Sequence, residues 1–242
     1  MRRSRAWISV VLAAAAVACG CFPARAQEAP FDLPAERVLL FAGVDLWRNG
    51  GFLHGGLVWS PNGLDRAGFA AKVLVGGGRY HYLSGATDIA GAVALVSAMP
   101  GWRFKRGSAE LTVNAGLDVQ RHRLDPDDPG NRLRGRHVGL RVSADLWWEP
   151  VASAMTSASA SFSTIGDGYW TRAAAGWRFF NRLYFGPEAL ALGDDSYRQW
   201  RLGLHATALK VGETEWSASA GYVEDSDGRS GLYGRIGMLA RR

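Results

Sequence analysis

Any chemistry in this 242-residue chain has to be built from five histidines, 22 acidic and 28 basic side chains, and ten tryptophans. Hydrolysis by a serine needs a hydroxyl, an imidazole and a carboxylate brought together. The imidazoles available are His54, His81, His122, His137 and His205, and no G-x-S-x-G elbow accompanies them. His122, with Ser and Asp on neighbouring segments, is the candidate for a hydrolase acting on lipid or glycan; the plainer reading is a hydrogen-bonded rim histidine. The acids permit a glycosidase pair, whose reaction depends on a carboxyl separation that sequence does not display. Three acidic stretches, Asp125-Pro126-Asp127-Asp128, Asp194-Asp195 and Asp225-Ser226-Asp227, have the ligand type for a hard cation such as calcium but not EF-hand spacing. Arg123, Arg132, Arg134, Arg136, Arg198 and Arg229 lie near them, so loop-to-loop salt bridges are the simpler expectation. The planar guanidinium also suits lipopolysaccharide phosphates. Gly76-Gly77-Gly78 has no following Lys-Ser/Thr and is not a phosphate cradle. No cofactor and no metal site is expected.

The elements that must position these groups are strands. In Glu110–His122, Leu111, Val113, Ala115, Leu117 and Val119 take one face, while Glu110, Thr112, Asn114, Asp118, Gln120 and His122 take the other. Strand side chains alternate sides, so the segment has one apolar and one polar face. The same alternation runs through His137–Trp148, Met155–Ser163, Gln199–Leu209 and Trp216–Tyr222. Asp88–Phe104 is apolar nearly throughout and is compatible with a hidden helix. Turn chemistry such as Asn49-Gly50, Pro61-Asn62-Gly63, Gly107-Ser108, Asp167-Gly168 and Asp227-Gly228 separates the runs. About twelve strands result, an even number, as in single-chain outer-membrane barrels. Connections alternate between short (105–108, 149–153, 181–182, 211–213) and longer or more acidic (125–136, 165–169, 193–197, 225–231).

The start of the chain has its own pattern. Arg2, Arg3 and Arg5 precede an uncharged Ala-rich run from Ala6 to Gly20, and Ala24-Arg25-Ala26 offers a small-x-small cleavage site. Residues 1–26 therefore read as a secretory signal, 27–37 as an extended lead-in with Pro30 and Pro34, and 38–242 as one β-barrel domain. A lipoprotein signal on Cys19 or Cys21 is the rival, weakened by Ala16 at the third position before Cys19. Cleavage removes both cysteines and four arginines but no acid, turning the net +6 into 24 bases against 22 acids, or +2. Nucleic acid drops out as a partner, because most of the basic excess belonged to the export signal.

An apolar/polar alternation fits a soluble barrel or an inverted, membrane-spanning one. Two features favour inversion. The polar faces carry mostly Ser, Thr, Gly, Asn and Gln, and only three lysines (72, 105 and 210) occur at all. Trp47, Trp59, Trp147, Trp148, Tyr169, Trp170 and Trp216 lie near strand ends, where interfacial girdles place aromatics. The expected fold is thus an antiparallel up-and-down transmembrane barrel in the outer membrane, with a soluble periplasmic binding module as the alternative. Inversion turns Asp45, Lys72, Glu110, Asp118, His122, Arg141, Asp145, Arg172, Arg178, Glu188, Arg201, His205 and Arg235 toward the lumen. They form either a polar conduit or an interior zipped by ion pairs, since buried charge must be paired. Trp47 and Trp147, on the same inward faces, are the candidates to stack on sugar rings; packing is the alternative. The last strand ends on Arg241-Arg242, where many outer-membrane barrels carry an aromatic.

Long irregular strings now become informative. FAGVDLWRNGGFLHGGLVWSPNG (41–63), MPGWRFKRG (99–107), GLDVQRHRLDPDDPGNRLRG (116–135), STIGDGYWTRAAAGWR (163–178), GPEALALGDDSYRQWRLG (186–203) and DSDGRSGLYGRIG (225–237) resemble the BcsS-type cellulose biosynthesis proteins over essentially the whole chain that follows the expected cleavage. The resemblance implies an exported protein tied to making or secreting cellulose. Its implied partners are cellulose or other cellulose-synthesis components and outer-membrane lipid. It supplies no catalytic residues, so a non-enzymatic conduit, anchor or structural role is the expectation.

Overall fold

The structure, a computed structural model, describes residues 36–242; the expected signal segment and all but the end of the expected lead-in lie outside the described residues. Twelve antiparallel strands close into one barrel: β1 (Val38–Trp47), β2 (Gly50–Trp59), β3 (Gly68–Ser84), β4 (Thr87–Arg106), β5 (Ala109–Asp125), β6 (Gly135–Val151), β7 (Ala154–Ser163), β8 (Tyr169–Phe179), β9 (Leu183–Gly193), β10 (Arg198–Val211), β11 (Thr214–Asp225) and β12 (Ser230–Arg241). Each strand pairs with its sequence neighbours, and β1 meets β12 from Leu39↔Arg241 to Trp47↔Tyr233. The seam is sealed at its foot, where the amides of Arg37 and Val38 donate to the Arg242 carbonyl. Closure leaves no sheet edge and satisfies the backbone within the wall, as a hydrocarbon solvent demands.

The two ends differ. Both ends of the described chain sit at one of them, with two- or three-residue turns at 107–108, 152–153, 180–182 and 212–213 and an eight-residue link at 60–67. We call this the turn end. The opposite, loop end carries the connections 126–134, 164–168, 194–197 and 226–229 and the tight turns at 48–49 and 85–86. Strands β3 to β6 run 17 to 20 residues and project past the others at the loop end. A tilted membrane strand needs only about 9–11 residues.

The alternation resolves as an inverted barrel. Leu46, Leu53, Leu117, Val138, Leu140 and Leu202 point outward and are more than half exposed. Asp45, Asn114, Asp118, Glu188, Arg201 and His205 point inward and are buried. Two expectations about the strands are corrected. Asp88–Phe104 is entirely strand (β4) and hides no helix. Its period is masked because the inward face is apolar toward the loop end: Ile89 packs with Tyr82 and Tyr197, and Tyr80 and Leu124 join them inside the mouth. Strand β10 does not keep one phase, because Ala208 adopts a left-handed φ of 62° and the register with β11 slips between Ala206 and Leu209. That bulge puts Leu209 on the exposed outer face.

The aromatic girdle is also redrawn. Trp59, Trp148 and Trp216 do face outward, whereas Trp47, Trp147 and Trp170 share the inward parity of their strands. The outward ring at the turn end is completed by Phe69, Trp102, Phe104, Trp177, Phe179 and Phe185. Rings with an apolar body and a polar edge settle at a membrane interface.

Inward glycines make room for this interior. A Cβ on Gly203 would meet the Tyr233 hydroxyl and the Ala220 carbonyl, each at 2.4 Å, whereas one on the outward-facing Gly234 would meet nothing nearer than 4.0 Å. Gly203→Ala is therefore expected to cost about 1–3 kcal/mol by overpacking, and Gly234→Ala almost nothing. The urea midpoint of the folded band on unheated SDS gels measures both.

Candidate functional site

The inward polar faces meet inside the barrel as a set of ion-paired nodes. Asp118 on β5 is the densest. Its carboxylate accepts from Ser97 Oγ on β4 (2.7 Å), Gln120 Nε2 (2.8 Å), Arg141 on β6 (2.8 Å) and Ser163 Oγ on β7 (2.6 Å), and it is fully buried. Four donors on four strands saturate the lone pairs of one carboxylate. Strand parity brings them there: Ser97 is the direct cross-strand partner of Asp118, and Arg141 and Ser163 face each other on β6 and β7.

A second node gathers on Glu188 of β9. Arg172 on β8 donates at 2.7 Å, the Tyr233 hydroxyl at 2.9 Å and Arg235 on β12 at 3.5 Å. A third joins β10 to β1, where Arg201 donates to Asp45 and to Gln199 Oε1. The Arg201 guanidinium lies between the rings of Trp47 and Tyr233, 4.9 and 5.2 Å from their centroids. Arg201 is only 1% exposed, so this cation meets carboxylate and π-faces instead of water. Lys72 on β3 reaches Asp145 on β6 at 2.7 Å, and Glu110 takes Lys105 at 2.9 Å together with Arg103.

Every acid expected inside thus has a cation beside it. Of the two tryptophans, Trp47 already stacks on Arg201, and Trp147 sits edge-on to Tyr184 at 6.0 Å with its indole N–H donating to Glu149. Arg178, near the turn end, pairs with Glu149 and lies over Tyr184. Sequence reasoning missed Tyr233 and Tyr80, and it placed Gln120 on the polar face without giving it a role. The hydroxyls at 80 and 233 fall on the inward parity, so the period alone carried that information.

His122 is held in a relay. Its Nε2 lies 2.9 Å from Gln120 Oε1, an atom that only accepts, so that ring nitrogen donates and Nδ1 accepts from the Tyr80 hydroxyl at 3.2 Å. Ser163 turns to Asp118 instead of an imidazole. His205 donates to the Ala175 carbonyl, His81 pairs with Asp88 and His137 with loop carbonyls. Among the described residues no serine hydroxyl hydrogen-bonds to a histidine.

At the loop mouth the acidic stretches are separated. Asp225 and Asp227 clamp Arg229, and Asp225 also accepts from Asn49. Asp127 pairs with Arg134. Asp128 accepts from the Tyr82 hydroxyl at 2.8 Å, which holds its carboxyl below the usual carboxylate range. Asp194 caps the turn amides of Ser196 and Tyr197. Asp125 is exposed, and Arg132 and Asp195 border an open recess of about 280 Å³ with His137, Thr164 and Ile165. Of the expected loop-to-loop salt bridges only Arg229 makes one, reaching Asp88 at the start of β4 at 3.8 Å; Arg134 pairs within its own loop, and among the described residues Arg123, Arg132, Arg136 and Arg198 make none, strand parity turning Arg123, Arg136 and Arg198 outward while Arg132 stands exposed in its loop.

Known structures share this wall. An outer membrane channel from Pseudomonas putida F1 superposes with a TM-score of 0.57 at 10% identity, covering 90% of this chain and 100% of that one. A deletion mutant of TodX, a monoaromatic hydrocarbon channel, gives 0.50 at 8% identity, covering 85% and 90%. At such identities the likeness is one of fold. No curated protein matches. A family description does: cellulose biosynthesis protein BcsS, over residues 39–242. That span is the whole barrel, and the chain belongs to the BcsS family of cellulose biosynthesis proteins.

Proposed function

We propose that this chain is an outer-membrane barrel that serves cellulose biosynthesis as a non-enzymatic structural or anchoring element, with a lumen closed by its own ion pairs. The observation that carries the reading is the buried mid-lumen set of Asp45, Asp118, Glu188 and Arg201, each at most 7% exposed. A polymer threading this barrel would have to part Arg201 from Asp45 and Arg235 from Glu188. Each separation exposes a desolvated charge, at a cost of several kcal/mol. Sugar hydroxyls cannot replace a carboxylate for a buried guanidinium. The membrane location is supported by the outward Leu/Val belt, the turn-end aromatic ring and the outer-membrane fold of the relatives. A non-enzymatic role is supported by the serines that turn to Asp118 and by the acids already neutralised in pairs.

The role in the pathway is tested by filling the lumen further. Ser161 points inward on β7 beside Ser143 and Trp170. In cells that depend on this protein, Ser161→Phe is expected to leave cellulose output within about twofold of wild type. Abolished output, with the folded, heat-modifiable band intact, would sink the closed-lumen reading and favour a conduit.

Two further outcomes follow from the nodes. In planar bilayers the purified protein should give no large steady conductance, whereas Arg201→Ala should admit ions; a wide open wild-type pore contradicts the reading. Asp118→Ala strands Arg141 and three neutral donors and should cost about 3–5 kcal/mol, with Asp118→Asn losing less. Urea titration of the folded band measures the difference.

A further inference from the structure

The outer wall carries a feature that the lumen does not use. On the loop-end part of β3, β5 and β6, four arginines point outward and are exposed: Arg79, Arg121, Arg123 and Arg136. Register places them together. Arg79 and Arg123 flank Ala92 of β4 in one row, and in the next row Ala94, Arg121 and Arg136 are successive partners. Arg79 and Arg123 are two strand spacings apart, about 10 Å, and Arg121 and Arg123 are two residues apart, about 7 Å. Only alanine methyls rise between them. Among the described residues none of the four side chains makes a hydrogen bond, ion pair or ring contact; the outward acid beside them, Asp125, is not within salt-bridge distance, and Asp88 is taken by His81 and Arg229. Arg121 directly opposite Arg136 is a like-charge cross-strand pair, which destabilises a sheet unless an anion lies between.

Their height is informative. Below them on the same outward faces lie only apolar side chains: Leu111 to Val119 on β5, Val73 and Val75 on β3, and Val138 to Trp148 on β6. Leu111 to Val119 covers about 26 Å of strand, or roughly 20 Å along the axis at a tilt near 40°. The arginines therefore begin where the hydrocarbon band ends, at headgroup level. Lysine is absent from the patch, and guanidinium is the group that grips phosphate with paired N–H donors.

We propose that this face is a binding site for a phosphorylated glycolipid of the outer leaflet. Arg79, Arg121, Arg123 and Arg136 hold its phosphate groups, and Leu117, Val138 and Leu140 receive its acyl chains. The proposal rests on the membrane reading above, with the loop end outward. Four cations spread over roughly 15 Å, three strand spacings from β3 to β6, with no acid partner among the described residues, fit a headgroup carrying more than one phosphate. An apolar wall directly beneath fits a lipid and has no use for a free ion.

The test uses the full exported chain in detergent micelles, with native mass spectrometry reading retained lipid. The probes are bisphosphorylated lipid A, its dephosphorylated form and inorganic phosphate. Wild type is expected to retain the bisphosphorylated lipid at least tenfold better than the dephosphorylated one. The variant R79Q/R121Q/R123Q/R136Q should lose that preference, and Arg198→Gln, at the start of β10, should keep it. Should the fourfold variant fail to fold, Ala92→Glu supplies a carboxylate among the arginines and should displace the lipid from an otherwise paired wall. Equal retention of the two lipids by wild type, undiminished binding by the folded variants, or protection against unfolding by inorganic phosphate equal to that by lipid would each overturn the assignment. The unheated-gel mobility shift reports the barrel separately, so loss of the fold and loss of the site are told apart.

Discussion

A closed sheet whose outer face is apolar has to put its polar residues inside, and in a twelve-stranded wall that interior is narrower than a water-filled porin channel. Charge enclosed this way cannot be left to solvent; it has to be neutralised by charge across the lumen. Much of the structure follows from that constraint. It explains why inward acids and bases occur in near balance, why Glu188 draws Arg172, Arg235 and Tyr233 from two other strands, and why Arg201 is enclosed by Asp45, Trp47 and Tyr233. It also explains the small inward residues. Gly203 and Ser163 stand where a long side chain must pass or a hydroxyl must donate.

The nodes are non-local in a way that ties the wall together. Asp45 and Arg201 are 156 residues apart, and Tyr233 and Glu188 are 45. Neighbouring strands are already joined by backbone bonds. Bonds from β1 to β10, β3 to β6 and β9 to β12 add chords across the section, which resist the flattening that backbone pairing alone permits. A passage for polymer would need those chords removed, so rigidity and conduction compete for the same side chains.

The period-two pattern made the strands and their inward sets readable in sequence, because a lipid-facing wall accepts almost nothing but apolar residues. Asp118 and Arg141 could be assigned to the same interior from parity alone. Parity does not say who meets whom. That depends on shear and on side-chain reach between strands far apart in the chain, so the enclosure of Arg201 by Trp47 and Tyr233 had no local signature. Two local failures have physical causes as well. In β4 the inward face turns apolar at Ile89, Val93 and Leu95 where Tyr82 and Tyr197 pack inside the mouth, which erases the contrast between faces. In β10 one left-handed residue, Ala208, reverses the phase. The tryptophans show the same limit from another side: position near a strand end suggested a girdle for all seven aromatics, but only parity separates Trp148 from Trp147.

With the inward acids each paired to a cation, attention turns to the outer surfaces, and they are unequal. Aromatic rings crowd the turn end, while the loop end carries unpaired guanidinium groups above a smooth aliphatic wall. An indole ring prefers the interface for its own amphipathic character, whereas an arginine at that depth needs an anion. The asymmetry is therefore one of chemistry demanded from each leaflet. The turn end asks only for an interface, and the loop end asks for phosphate. A barrel that takes lipid at one end in this way would be oriented and held by the membrane around it, which suits the anchoring role proposed above.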